Sequence, residues 1–349
     1  MDVFTTNIFI IKISTFLGFF FVFSSIILFI IILLKRVYLI KKEKRDSKLL
    51  EEWRPILLAN LYSLPPSFDK ISKKNTTLFL IFWNNLQDIL KGPEKEQLNH
   101  LARLLHMDQA AIKMLSSRKL SQRLLAIAVL GNLREEQAWD KIQHFSESSN
   151  MTLAINAMHA LTRIDPERVI NIVISFMIDT QDWPDYKIAM ILNEMGATIF
   201  SKPLADEILL LSPERQPRLL NMMNSADGKV VLPLILQLLS STNNNEVISS
   251  CLNLLSIFGD YRDIPVVKDY LNHQQSFIRM RAVMTLSLIG NEYVLPFLER
   301  CLSDPDWWVR YRTAEAIKLL PTMNNDRILE IRDRQLDRFA VDILNYVIS

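Results

Sequence analysis

IRMRAVMTLSLIGNEYVLPFLERCLSDPDWWVRYRTAEAIKLL, residues 278–320, decides the fold. It opens on Ile278-Arg279, and the pair returns further on as Val309-Arg310, with Val283 matched by Ala314 and Leu286 by Ile317. Backwards at the same step, Leu286 aligns with Leu255, Gly290 with Gly259, Ala282 with Cys251 and Ile278 with Val247. Pro296 likewise aligns with Pro265 and Leu302 with Leu271, while Pro233 falls one residue off this register. Further upstream Ala126 and Leu130 recur as Ala157 and Leu161, Leu161 as Leu192, and Ile164 as Met195. A fixed step of this kind, roughly 31 residues long, is the mark of a repeat architecture.

Each unit reads as a helix of about 14 residues, a tight turn, a second helix of about 10 and a loop. Val309, Thr313/Ala314, Ile317 and Leu320 keep the i, i+3/i+4, i+7 spacing of one apolar helix face. Gly259 and Gly290 fall where the first helix must end, a place that often needs a positive φ. Pro265 and Pro296 fall in the first turn of the second helix, where no intrahelical N–H is lost. Asp304 or Asp306 is placed to cap the helix starting near Trp307. One such helix pair cannot bury its apolar face alone; stacking on its neighbours does so, and gives a solenoid.

The Val-Arg pair, the Ala/Leu helix, the Gly, the Val-Leu-Pro-Phe-Leu run (294–298) and Leu302-Ser303-Asp304 resemble the short bacterial HEAT repeat, also called the PBS-lyase type. Residues 244–320 match well, 119–211 match in periodicity without most Arg and Pro marks, and 76–118 match only as helix pairs. The resemblance implies an all-α fold, an α-solenoid of stacked antiparallel helix pairs with a roughly 31-residue period. It further implies a protein-binding scaffold, with a minority of relatives being enzymes such as bilin lyases and alkylpurine DNA glycosylases. Arg279 and Arg310 would then be repeat arginines, bonding loop carbonyls or the loop Asp of the adjacent unit.

Ahead of the repeats, Ile13 to Leu34 is free of charge and rich in Phe, Ile and Leu. As a helix it covers about 30 Å, the hydrocarbon thickness of a bilayer. It ends at Leu33-Leu34-Lys35-Arg36, without the small residues of a signal-peptide cleavage site. Lys35, Arg36, Lys41, Lys42, Lys44, Arg45 and Lys48 follow, opposed by Glu43 and Asp46. The positive-inside rule keeps such a flank in the cytosol. The expected order is a short extracytoplasmic N-terminus (1–12), one transmembrane helix (13–34), a basic juxtamembrane segment and linker (35–75), and the solenoid (76–349). The location that follows is the inner (plasma) membrane of a bacterium, single-pass, with the solenoid cytoplasmic. On that topology the acceptor-like Asn75-Thr76-Thr77 and Asn150-Met151-Thr152 are chance matches. The basic flank either sets topology alone or also grips anionic headgroups. Residues 49–62 read as a separate short amphipathic helix broken near Pro55, and Ser63-Leu64-Pro65-Pro66 as linker.

Apart from this flank acids outnumber bases, and the whole chain is only +2, so nucleic acid is not an expected partner. The 7 glycines are isolated, which excludes a Gly-rich phosphate loop. The five histidines lack zinc spacing, and Cys251 and Cys301 read as core thiols, not nucleophiles. No cofactor, metal or small-molecule substrate is expected. Trp307, Trp308, Tyr311 and Arg312 stand out as a possible partner surface. The alternative is that one Trp packs between helices beside the structural Arg310. The charged segment from Asn324 to Ser349 reads as one solvated capping helix. The function expected is a membrane-anchored scaffold or adaptor for a protein partner, in an envelope glycosyltransferase, secretion or signalling complex. A repeat-built lyase or glycosylase, and a self-assembling structural membrane protein, are the alternatives.

Overall fold

The computed structural model describes residues 2–62, 71–179 and 183–348, and among them every regular element is a helix. Two compact units divide the chain, Met1–Leu133 and Arg134–Ser349. The sequence reading places everything from 76 onward in one array; helices up to residue 133 instead group with the N-terminal helix.

The first unit holds α1 (Asp2–Tyr62), α2 (Thr76–Ile89), α3 (Pro93–Leu104), α4 (Met107–Met114) and α5 (Leu120–Leu133). α1 does not break at Pro55: it runs unbroken from the apolar segment into the packed core of the first unit. An internal proline costs about 3 kcal/mol. Its neighbours Trp53 and Leu57 are buried, Trp53 meeting the Phe79 ring edge-on at 5.6 Å between centroids. Burying two such side chains contributes roughly 1.5–3 kcal/mol each, enough to offset the proline. Pro55 itself faces solvent, where the Glu51 carbonyl it orphans can be hydrated. The expected linker Ser63–Pro66 lies outside the described residues. Around Phe79, Leu80 and Trp83, which are fully buried, α2, α3 and α5 are tied by polar bonds. Trp83 Nε1 donates to the Leu98 carbonyl at 2.9 Å, Gln87 Nε2 to Asn99 Oδ1 at 2.8 Å, and Asn132 Nδ2 to Asn84 Oδ1 at 2.9 Å.

The second unit runs through α6 (Trp139–Ser146), α7 (Met151–Ile164), α8 (Pro166–Asp179), α9 (Asp185–Met195), α10 (Ala197–Leu210), α11 (Gln216–Asn221), α12 (Gly228–Ser241), α13 (Asn245–Phe258), α14 (Ile264–Asp269), α15 (Ser276–Ile289), α16 (Leu295–Cys301), α17 (Trp307–Lys318), α18 (Asn325–Asp333) and α19 (Arg338–Ile348). The starts of α13, α15 and α17 (Asn245, Ser276 and Trp307) are evenly spaced at the repeat step, and so are those of α8, α10 and α12 (Pro166, Ala197 and Gly228). Odd-numbered helices from α11 to α19 stack on one another in sequence order, as α7 does on α9, and α8, α10 and α12 form a second row. That is a helix-pair solenoid, its core supplied by Val247, Cys251, Leu255, Ile278, Ala282, Leu286, Val309, Ala314 and Ile317, all essentially sealed from solvent. Side-chain caps start the first helices: Asn150 for α7, Asn244 for α13 and Asp306 for α17. Pro265 and Pro296 sit in the opening turn of α14 and α16, each after a 3₁₀ turn.

Two expectations need correction here. Gly259 and Gly290 do not adopt positive φ; both are extended, at φ −76° and −93°. Space, not backbone handedness, requires them. A Cβ at Gly290 would lie 2.5 Å from the Leu286 carbonyl oxygen and 2.5 Å from Val294 Cγ1. At Gly259 it would lie 2.6 Å from the Leu255 carbonyl oxygen. In addition, the segment after Asn324 is two helices, not one. Asp337 ends the continuity: its carboxylate accepts from the Phe339 N–H at 2.9 Å to start α19, and from Arg310 at 2.7 Å.

Candidate functional site

Two places bear on function: the basic stretch of α1, and the outward face of the last stacked first helices of the second unit.

Along α1, residues 16–40 are exposed throughout, and the apolar helix is long enough to cross a membrane. The seven bases continue the same helix. Arg45 pairs with Asp46 at 2.8 Å and Lys48 approaches Glu52 at 4.0 Å. At about 1.5 Å per residue, Lys35 and Arg36 lie within one turn of Leu34, whereas Lys48 is about 21 Å beyond it.

In the second unit, Arg279 and Arg310 are interface residues. Arg279 forks onto both oxygens of Asp304, at 2.7 and 2.8 Å, and donates to the carbonyls of His273 and Gln274 at 2.8 and 3.0 Å. Asp304 is buried, so this planar bidentate pair is shielded from screening. Arg310 repeats the device one step on, donating to the Asp304 backbone carbonyl and to Asp337, with its guanidinium 5.7 Å from the Phe339 ring centre. These two arginines are consumed by the stack and are not available to a ligand. Asp304 and Asp306 are likewise used internally, one as the arginine's partner and the other as the cap of α17.

Trp307 and Trp308 do not pack between helices. They stand 51% and 62% exposed on the first turn of α17. Trp308 meets Tyr311 edge-on at 6.2 Å, and Tyr311 leans on Tyr346 of α19 at 6.0 Å. Arg312 pairs with Glu315 at 2.7 Å, and the Tyr311 phenol is pushed above its usual range chiefly by a hydrogen bond to the same Glu315. Beside them opens a groove of about 750 Å³, lined by Met284, Tyr311, Arg312, Glu315, Leu319 and Tyr346 among others. The structure therefore brings Trp308, Tyr311 and Arg312 into one patch and adds Met284, Leu319 and Tyr346.

The sequence reading misses a further feature of this face. Ile257 on α13, Leu288 on α15 and Leu319, the residue that caps the end of α17, hold the same repeat position and are 49%, 59% and 57% exposed. All three are apolar, yet they fall off the buried stripe; on α15 that stripe is Ile278, Ala282, Val283, Leu286 and Ile289. A helical wheel drawn on each repeat would have found them. They form a ladder of apolar rungs across three stacked helices. Cys251 and Cys301, in contrast, are buried, which pushes their thiols up to about 12 and about 11, so both stay protonated and unreactive at neutral pH.

A family model for HEAT repeats matches residues 232–318, the stretch that contains most of this ladder. No match was found among curated proteins. Among solved structures, an engineered protein is 13% identical, with 83% of this chain and 86% of that chain covered and a TM-score of 0.35. The complex of CpcE and CpcF of phycocyanin lyase from Nostoc sp. PCC7120 is 18% identical, covering 69% and 93%, with a TM-score of 0.22. Human deoxyhypusine hydroxylase in complex with glycerol is 12% identical, covering 78% and 97%, with a TM-score of 0.21. At these scores the three structures carry no argument about function. The matched model, the even spacing of the helix starts and the ordered stacking of helix pairs give this chain HEAT-like repeats over residues 232–318, set within a longer stack of helix pairs.

Proposed function

We propose that the protein is a membrane-anchored scaffold, not an enzyme, which holds a protein partner at the cytosolic face of the inner membrane. Residues 13–34 of α1 cross the bilayer, the basic flank lies inside, and the HEAT-like helices present the binding surface. The observation that carries this is the exposed apolar and aromatic face on α15, α17 and α19 of a chain whose first helix carries a long apolar stretch, exposed over residues 16–40. Anchoring confines the partner to a thin layer beside the membrane and so raises its effective concentration. The continuity of α1 into Trp53 and Leu57 gives the anchor a stiff stalk of about 28 Å, at 1.5 Å per residue between Leu34 and Trp53. On such a stalk only Lys35 and Arg36, with Lys41 and Lys42 through their long stems, come near headgroups, since the Debye length is about 8 Å at physiological salt. The more distant Lys44, Arg45 and Lys48 then serve topology.

Two measurements test the proposal together. The intact chain should stay with membranes through alkaline carbonate washing, and its C-terminal half should be digested only when the cytosolic face is opened to protease. A tagged full-length chain extracted in mild detergent should retain a protein at fixed stoichiometry. Release by carbonate, protection of the wrong half, or purification without any stoichiometric protein would each contradict it.

A further inference from the structure

We infer that the ladder on the second unit takes one kind of ligand, an amphipathic α-helix with an acidic flank. This rests on the scaffold reading and adds the chemistry of the partner. Ile257, Leu288 and Leu319 repeat once per stacked helix, and stacked helices sit about 8–10 Å apart. A helix laid across the rungs presents side chains seven residues apart on nearly one line, about 10.5 Å from one to the next. A slightly slanted path makes the two spacings coincide, so positions i, i+7 and i+14 of the guest can each meet one rung.

A second row runs parallel to the first. Met284 lies one turn from Leu288 on α15, and Glu315 on α17 one turn from Leu319 at its C-terminal end, with Tyr346 closing the row on α19. Arg281 and Arg312, again one repeat step apart, form a third row seven residues from the rungs. That places the arginine row about 10.5 Å along each helix from the leucines. An α-helix with its side chains is about 10–12 Å across. A guest resting on the leucine and Met284 rows therefore brings one flank against the arginines. On α15 and α17 this face carries Arg281, Arg312 and Lys318 against Glu315. Arg281 is exposed and donates to the neutral Asn253 amide oxygen at 3.1 Å. Lys318 reaches the Val347 carbonyl at 2.6 Å and Arg312 reaches Glu315. The surplus is positive, and an acidic flank on the guest complements it.

The test uses the full chain in its own membrane with a photo-crosslinking amino acid at Leu288, and at the exposed Tyr293 as a control position. The crosslinked peptide is identified by mass spectrometry. The expected product from position 288 is a segment of another protein with apolar residues at seven-residue spacing and Asp or Glu along one side. Arg281→Glu combined with Arg312→Glu should cut the yield about tenfold or more, since like charges then face the guest, while the thermal melt stays where it was. The inference is overturned by crosslinks to lipid, to a second copy of this chain or to a segment without that pattern. It is also overturned by no crosslink, by equal yield at Tyr293, or by a yield that survives the charge reversal. Quantifying the partner held by the tagged chain separates the two ideas: a stoichiometric protein without the position-288 product removes this inference and leaves the scaffold standing. Absence of any stoichiometric protein removes both.

Discussion

Two interfaces in the second unit join neighbouring repeats with different chemistry. Between α15 and α17 the link is Arg279 forked onto the buried Asp304, with Arg310 carrying the same device on to Asp337. Between α7 and α9 a single carboxylate, Glu194, receives His159 and Arg163 from the preceding helix of the stack. The first link is planar and shielded; the second is partly exposed, one carboxylate being shared between an imidazole and a guanidinium. The later repeats are thus locked by arginine–aspartate pairs at their loops. The earlier ones rely on apolar burial along the helices, with the carboxylate as a supplement.

That contrast can be broken first at Arg279. Arg279→Ala leaves Asp304 buried with its main counter-charge gone, and should destabilise the second unit by about 3–5 kcal/mol. Chemical denaturation of the full chain in detergent checks it; a loss below about 1 kcal/mol, the range of an exposed ion pair, would mean the clamp adds little.

Next in size is Gly290→Ala. The added methyl collides with a backbone carbonyl and with Val294, and should cost about 1–3 kcal/mol. Because φ there is already negative, the cost measures crowding alone. Gly92 and Gly196, at φ 67° and 91° with little around them, form the counter-case, where alanine costs backbone strain.

The smallest effect belongs to the upstream link. Burial pushes the Glu194 carboxyl up, but hydrogen bonds and charge from His159 and Arg163 outweigh that and hold it below the ordinary carboxylate value. A carboxyl lowered in the folded state contributes stability that is fully present above its unfolded value and is lost as pH falls through the folded one. Glu194→Gln should therefore cost on the order of 1 kcal/mol at neutral pH, with the gap from wild type closing below about pH 4. A gap that widened on acidification would reverse the assignment.

These interfaces also separate what a reader of the chain can see from what needs coordinates. Arg279, Arg310, Pro265 and Pro296 are visible because each recurs at a fixed step and has a local physical role, and Asp306 because it precedes the helix it caps. Glu194 is invisible: its partners belong to an earlier helix far back in the chain, and nothing local distinguishes it from a surface glutamate. Gly259 and Gly290 stand out in the sequence for the wrong reason, since sequence does not tell a left-handed φ from a crowded extended one. The continuity of α1 through Pro55 depends on Trp53 finding Phe79, a contact with a different helix. Leu288 and Leu319 are hidden from composition, which assigns such residues to the core, and emerge only when each repeat is drawn as a helical wheel. Trp307 and Trp308 are conspicuous in the sequence, but their exposure is settled only by the stack around them.

The ladder is the point on which the account turns, and spin labels can measure it directly. With Ile257→Cys and Leu319→Cys labelled in the full chain, the buried Cys251 and Cys301 thiols should stay unlabelled. Two stacking steps of about 8–10 Å each call for one narrow distance distribution, displaced from their sum only by the label tethers. A broad distribution, or a peak beyond about 40 Å where no two-step stack can reach, would show that these helices do not lie side by side and would contradict the account.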